Sequence, residues 1–265
     1  MNIKILILFL GGLFFLERAE KPTLFLIGDS TVAGTSSTNT IQGWSAKLVG
    51  YFNEDMIRVQ DRAVSGISSR TYRTGVVHQP SMLKSGMWKG VMAELRSGDF
   101  VIMQFGHNDE SPILDTLRMR GTIKGSGNDS LTTINHFTKQ HEIVRTYGYY
   151  LSKFVSDIKS RNAVAIICSP IPKNRWVGEK VVRNDKDYGK WAREVAEATG
   201  AYFVDLNQLI ADEYDLQGKD RVADYFVEDK IHTTQAGAAL NASLLISALK
   251  RMKKNNLKTY FKQRP

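Results

Sequence analysis

The sequence predicts an α/β fold, a three-layer α/β/α sandwich built on a five-stranded parallel sheet. Three observations predict it. Short apolar runs alternate along the chain with stretches of helical period, several of those runs stop abruptly at glycine and polar residues, and no linker or internal repeat divides the 265 residues. A hydrophobic content of 42% is enough to bury one core of that size, so residues 21–265 read as a single domain.

Residues 1–20 stand apart. Lys4 precedes an unbroken apolar run over 5–16, shorter than a comfortable membrane span and laid out like a secretory signal. Glu17-Arg18-Ala19 is a poor small-residue cleavage site, which leaves an uncleaved N-terminal anchor as the alternative. Either way the expected location is exported, periplasmic or secreted.

Leu24-Phe25-Leu26-Ile27 is the first predicted strand, and it ends at Gly28-Asp29-Ser30-Thr31. A segment rich in Ser, Thr and Gly follows over 31–40, then a helix over 44–52 and a second strand over 57–60. That strand runs into the small residues of 61–70, where Gly66 permits positive φ or close backbone approach. The third strand, 100–105, ends in Gly106-His107-Asn108-Asp109. Residues 110–140 have little periodicity and read as a long loop, which in a compact domain is usually functional. Val144, Tyr147, Leu151, Phe154, Val155 and Ile158 predict a helix over 142–161. A fourth strand over 164–168 leads to a basic, proline-punctuated loop over 169–186. A helix over 187–199, a fifth strand over 201–204 and a short helix over 206–214 come next. The last helix covers 235–254, capped by Thr233 or Thr234.

The net charge of +9 comes from scattered Lys and Arg rather than one basic tail, which argues against a nucleic-acid arm and suits an acidic substrate. The single cysteine, Cys168, excludes an intramolecular disulfide and any Cys-rich metal site. Oligomeric state is not written in the sequence.

Parallel sheets hold ligands at the carboxyl ends of their strands. Three strands here end in polar residues that the topology would gather along that edge: Ser30, Gly66 and Asn108. A fourth segment, Asp229-Lys230-Ile231-His232, precedes the last helix, and its i, i+3 spacing can set a carboxylate beside an imidazole. Acyl transfer needs these parts. A serine hydroxyl is a weak nucleophile until a base takes its proton, so Ser30, His232 and Asp229 are the candidate nucleophile, base and orienting carboxylate. The backbone N–H groups of Ser30 and Gly66 and the Asn108 amide are candidate oxyanion donors. Singly, each has a plain structural reading as a turn, a cap or a helix-entry residue. Their joint occurrence at strand ends carries the weight.

The blocks Gly28-Asp29-Ser30, Ala63-Val64-Ser65-Gly66, Gly106-His107-Asn108-Asp109 and Asp229-x-x-His232 together resemble the four signature blocks of the SGNH (GDSL) hydrolase superfamily. More narrowly, Gly28-Asp29-Ser30-Thr31-Val32-Ala33, Ser68-Ser69-Arg70-Thr71-Tyr72 and Gln104-Phe105-Gly106-His107-Asn108-Asp109 resemble the rhamnogalacturonan acetylesterase branch. The resemblance implies a flavodoxin-like sandwich, no cofactor or metal, and removal of acetyl groups from plant pectic polysaccharide. It also implies a Ser30–His232–Asp229 triad with Ser30, Gly66 and Asn108 as oxyanion donors.

An acetylated acidic polysaccharide is the expected partner. Arg118, Arg120 and Lys124 in the first long loop, and Lys173, Arg175, Lys180 and Arg183 in the second, should border the strand ends. Arg118 and Arg175 are the candidate charge contacts, and Trp176 is the aromatic candidate to lie against a sugar ring. The rival readings are a metal-dependent phosphoesterase using Asp29, Asp109, Asp205 and His232, a flavin- or nucleotide-binding module using 31–40, and a carbohydrate-binding protein without catalysis. Lipid esterases and thioesterases share the four blocks.

Overall fold

The computed structural model describes residues 20–34, 40–253 and 256–263; the expected signal or anchor, bar its last residue, lies outside them. The chain runs through β1 (Thr23–Gly28), α1 (Ser45–Leu48), β2 (Arg58–Asp61), α2 (Ser69–Thr74), α3 (Met87–Glu94) and β3 (Phe100–Gln104). It continues with β4 (Ser130–Ile134), β5 (His141–Arg145), α4 (Tyr147–Ser160), β6 (Val164–Cys168), β7 (Trp176–Val177) and β8 (Lys180–Val181). The last third holds α5 (Tyr188–Thr199), β9 (Tyr202–Val204), α6 (Leu206–Gln217), α7 (Lys219–Ala223) and α8 (Gln235–Arg251).

Five strands form one parallel sheet in the order β2-β1-β3-β6-β9, the flavodoxin-like arrangement. Leu24 of β1 sits opposite Val59 of β2 on one side and Phe100 of β3 on the other. Both faces of the sheet are covered. Leu24 and Leu26 enter a cluster with Trp44, Ile210 and Leu245, from the layer that holds α1, α6 and α8. Phe25 and Ile27, pointing the other way, enter a second cluster with Val91, Tyr147, Phe154 and Val195, from the layer of α2 to α5. Period-two alternation puts apolar side chains into both layers, which is why the strands read as unbroken apolar runs. Each such fully buried side chain contributes about 1.5–3 kcal/mol.

The structure departs from the sequence reading in several places. The helix expected over 142–161 begins only at Tyr147, because Thr146 caps it by accepting the Tyr149 N–H at 3.0 Å. The preceding residues form β5, antiparallel to β4 with Leu131 opposite Val144 and Thr133 opposite Glu142. Ile143 and Val144 are β-branched, and strand pairing wins over helical period there. The expected loop over 110–140 therefore contains one arm of a hairpin. Helices α2 and α3, between β2 and β3, were not expected, although α2 starts with a capping box between Ser68 and Thr71 that the sequence carries. The basic loop over 169–186 holds the small β7–β8 hairpin, and the helix expected over 206–214 reaches Gln217 and is followed by α7. Thr234, rather than Thr233, caps α8.

Candidate active site

The strand order reverses between β1 and β3 while the strands stay parallel, so the loops after those two strands part and leave a crevice. Gly28 closes β1 against β3. A Cβ there would lie 2.4 Å from the Gln104 carbonyl oxygen, so only glycine lets the chain turn at this point. Beyond it, Asp29 Oδ1 accepts the Thr31 N–H at 2.8 Å and the Thr31 hydroxyl at 2.7 Å, and the Asp29 carbonyl receives the N–H of Val32 and Ala33. These bonds hold Ser30 at the tip of a tight turn.

The partner segment arrives from 202 residues further along the chain: His232 Nε2 lies 2.8 Å from Ser30 Oγ. On the other side of the ring, Nδ1 lies 2.5 Å from Asp229 Oδ2. Asp229 also accepts the backbone N–H of Ile231 and His232 through Oδ1, at 2.8 and 2.9 Å. Lys230 takes a φ of 61° so that the segment can fold back on itself. Burial works against the Asp229 charge, but the bonds from His232 and Ile231 outweigh it and hold the carboxyl below its ordinary value. The segment is pinned to the loop before α1 by reciprocal backbone and side-chain bonds between Thr233 and Gln42.

Gly66 and Asn108 line the same cleft, of about 910 Å³, as Ser30 and His232. Gly66 has a φ of 78°, a backbone conformation that favours glycine. Asn108 is buried, and its Nδ2 donates to the Ile67 carbonyl at 2.8 Å, which fixes the amide plane and leaves that nitrogen a second N–H.

Behind these groups lies a second set of buried ionisable side chains. Asp29 Oδ2 faces His107 Nδ1 at 3.5 Å, while His107 Nε2 lies 3.1 Å from the Ile171 carbonyl. Burial opposes the Asp29 charge, yet His107 and Thr31 prevail and keep its carboxyl below the ordinary value. Asp109 goes the other way. Burial, reinforced by the Asp29 charge, pushes it up to about 7 despite hydrogen bonds from Ser69 N at 3.2 Å and Ser69 Oγ at 2.5 Å.

The expected substrate contacts scatter. Arg118 lines the cleft together with Arg120, and with His78, Met82 and Ser111, which sequence reading did not single out. His78 and Met82 fall between β2 and β3, where no motif marks them. Arg175 instead lines a small neighbouring cavity that shares His107 and Glu110 with the cleft. Trp176 lines neither cavity among the described residues. Its indole donates to Asn174 Oδ1 at 2.7 Å and packs half-buried against the core layer of α6 and α8. Lys173 pairs with Glu110, Lys180 with Asp215, and Arg183 with Asp212 and Asp215, so these three cations of the second basic loop spend their charge on carboxylates of the protein itself.

The four residues of the metal-site alternative do not converge. Asp205 caps α6 and pairs with Arg193, Asp109 is bonded to Ser69, and Asp29 to Thr31. Among the described residues no group of three or more His, Cys, Asp or Glu side chains is arranged to hold a metal ion. The segment 31–40 lies only partly within the described residues.

The GDSL-like lipase/acylhydrolase family matches residues 26–240 of this chain. The chain is similar to the rhamnogalacturonan acetylesterase of Emericella nidulans, at 24% identity over 240 residues, covering 91% of this chain and 89% of that protein. It is also similar to the Bacillus subtilis protein named "Probable rhamnogalacturonan acetylesterase YesY", at 22% identity, covering 86% of this chain and 93% of that one. Among solved structures, YxiM of Bacillus subtilis shares the fold with a TM-score of 0.67 at 20% identity, covering 88% of this chain and 57% of YxiM. An acetylxylan esterase of Geobacillus stearothermophilus shares it with a TM-score of 0.51 at 18% identity, covering 87% of this chain and 93% of that one. The family match spans most of the sheet and all the strand-end blocks up to the start of α8: this chain belongs to the GDSL-like lipase/acylhydrolase family and is a carboxylic ester hydrolase.

Proposed function

We propose that the protein is a serine esterase that removes O-acetyl groups from carbohydrate, with acetylated rhamnogalacturonan of the plant cell wall as its substrate. The observation that carries this reading is the continuous line from Asp229 through His232 to Ser30, with contacts of 2.5 and 2.8 Å, at the wall of a cleft that also presents Gly66 and Asn108. The relatives named rhamnogalacturonan acetylesterase support the substrate, as does a cleft wall carrying Arg118 and Arg120. Export is proposed with it, since a polymer of that size is met outside the cell.

In this mechanism Ser30 Oγ adds to the acetyl carbonyl carbon as its proton passes to His232 Nε2. Asp229 fixes the ring with its proton on Nδ1 and stabilises the imidazolium that forms. The oxyanion is met by the N–H groups of Ser30 and Gly66 and by the free N–H of Asn108 Nδ2. His232 returns the proton to the departing sugar oxygen, leaving acetyl-Ser30. Water then attacks by the same proton path and releases acetate.

The test is acetate release from acetylated rhamnogalacturonan by wild-type protein and Ser30→Ala, with acetylxylan for comparison and a chelator control. Release that requires Ser30, survives chelation and prefers the pectic polymer is the expected result. Undiminished release by Ser30→Ala removes the mechanism; preference for xylan keeps the mechanism and replaces the polymer.

A further inference from the structure

Among the described residues most arginines withdrawn from water have carboxylate partners, while Arg145, away from the cleft wall, has none and instead donates to the Asn128 carbonyl and lies over the Tyr149 ring. Arg70 is paired with Glu142, Arg73 with Asp157, Arg62 with Glu94, and Arg183 with Asp212 and Asp215. Arg120, half-buried, is held only by neutral acceptors: Nε donates to Ser111 Oγ at 3.0 Å and Nη1 to the Gly66 carbonyl at 3.2 Å. Among the described residues no carboxylate comes within ion-pair distance of Arg120 or of its exposed neighbour Arg118. Asp115 acts on Arg120 and on His78 only through its field, and its Oδ1 is occupied by the Leu117 N–H at 2.9 Å.

Two like charges and an imidazole share this wall. Burial first, and then Arg118 and Arg120, push His78 below its ordinary value; burial and Arg118 likewise lower Arg120. Such a cluster is unfavourable in the empty cleft, because a half-desolvated guanidinium without a counter-charge costs more than a paired one. It becomes favourable when an anion enters. The loop that carries it is not free to relax, since Arg70 Nη1 donates to the carbonyls of both Ile113 and Gly121, which bracket Arg118 and Arg120.

Resting on the esterase reading above, we propose that Arg118 and Arg120, with His78 lining the same cleft, form a carboxylate-binding subsite for a uronosyl residue of the substrate. Arg120 touches the Gly66 carbonyl, so the recognised carboxylate belongs to the acetylated sugar or to the one bonded to it. A planar guanidinium matches a carboxylate through two parallel N–H bonds, which a neutral hydroxyl cannot accept. The subsite thus selects an acidic glycan over a neutral one.

Binding tests the subsite without turnover. Ser30→Ala protein is titrated calorimetrically with a non-acetylated diuronide, with a neutral disaccharide of equal size, and with inorganic phosphate. The diuronide is expected to bind at least about ten-fold more tightly than the neutral sugar, with the difference shrinking as salt rises. Adding Arg118→Gln, an exposed position, is expected to weaken diuronide binding by about ten-fold, and Arg118→Lys by less, because lysine keeps charge and loses the fork. Arg120→Gln gives a larger loss if it folds, and Arg118→Gln decides the matter if it does not. Equal affinity for the two disaccharides, or diuronide affinity unchanged in Arg118→Gln, overturns the proposal. Phosphate binding as tight as the diuronide assigns the cluster to free anions and overturns it too. Absence of acetate release by wild-type protein in the separate assay would sink the esterase reading and leave this binding result readable.

Discussion

Arg70 and Glu142, 72 residues apart in sequence, form a bidentate ion pair, Nε to Oε1 at 2.8 Å and Nη2 to Oε2 at 2.6 Å. Arg70 is 1% exposed, and Asn135 Nδ2 adds a third donor to the same carboxylate at 2.6 Å. The pair joins α2, just after the Gly66 turn, to the β4–β5 hairpin. Together with the Arg70 bonds to Ile113 and Gly121, it folds the long segment between β3 and α4 onto the sheet edge and makes it a wall of the cleft.

Glu142→Gln should destabilise the protein by about 3 kcal/mol, because it leaves the buried guanidinium uncompensated. Chemical denaturation measures this. Burial opposes the Glu142 charge, but the bonds from Arg70 and Asn135 hold its carboxyl below its ordinary 4.5. Its contribution is therefore complete above that value and is lost as pH falls through the lower folded one. A variant as stable as wild type at pH 7 would show that the pair contributes nothing.

Asp109 predicts the opposite slope. Its carboxyl titrates near 7 in the folded protein against 3.8 in the ordinary state, so between those values the folded chain holds a proton that the unfolded chain has released. Stability should fall as pH rises from about 4 to about 7 and then level off, as far as this group decides it. Comparing the melting temperature of wild type and Asp109→Asn across that range isolates the effect; identical pH profiles would refute it.

Ser30→Ala and His232→Ala should each lower turnover by several orders of magnitude, and the double variant should be little worse than either, because the residues act as a unit. Asp229→Asn should cost about 10⁴-fold by presenting the wrong tautomer, the size known for the corresponding change in a serine protease. Additive losses in the double variant would mean that the Ser30–His232 contact is not a working one.

Asn108→Ala should lower turnover by about 10²–10³-fold if its free N–H meets the oxyanion. The Ile67 carbonyl also loses its donor, so the variant's melting temperature must be measured beside its rate. A normal rate in folded protein would take Asn108 out of that role.

Trp176→Ala should act on stability, by about 2 kcal/mol for a half-buried indole packed on the core layer, with little change in the Michaelis constant. A rise in that constant without loss of stability would return Trp176 to the substrate.

The parallel sheet, its two helical layers and the four strand-end blocks were legible because each is local. A run such as Leu24 to Ile27 must be buried on both faces wherever it lies, and Gly28-Asp29-Ser30 is turn chemistry carried by residue type alone. The β4–β5 hairpin was not legible. Val144, Tyr147 and Leu151 have helical spacing whether or not their first member sits in a strand, and the choice was made by Leu131 and Thr133 arriving as pairing partners. The Arg118 and Trp176 expectations separated for a similar reason. Both are loop residues with the right chemistry, but one loop is pinned against the cleft by Arg70 while the other packs its tryptophan on the core.

The sequence by itself determined the five strands of the sheet, the family blocks and the candidate groups for the chemistry, since those depend on residue type and near-neighbour spacing. Tertiary structure alone decided that Ser30 meets His232 across 202 residues, that Arg120 is left without a carboxylate while Arg70 has one, and that Asp29 and Asp109 titrate in opposite directions. Those outcomes depend on distances and desolvation between parts of the chain remote in sequence, and only the folded sheet sets them.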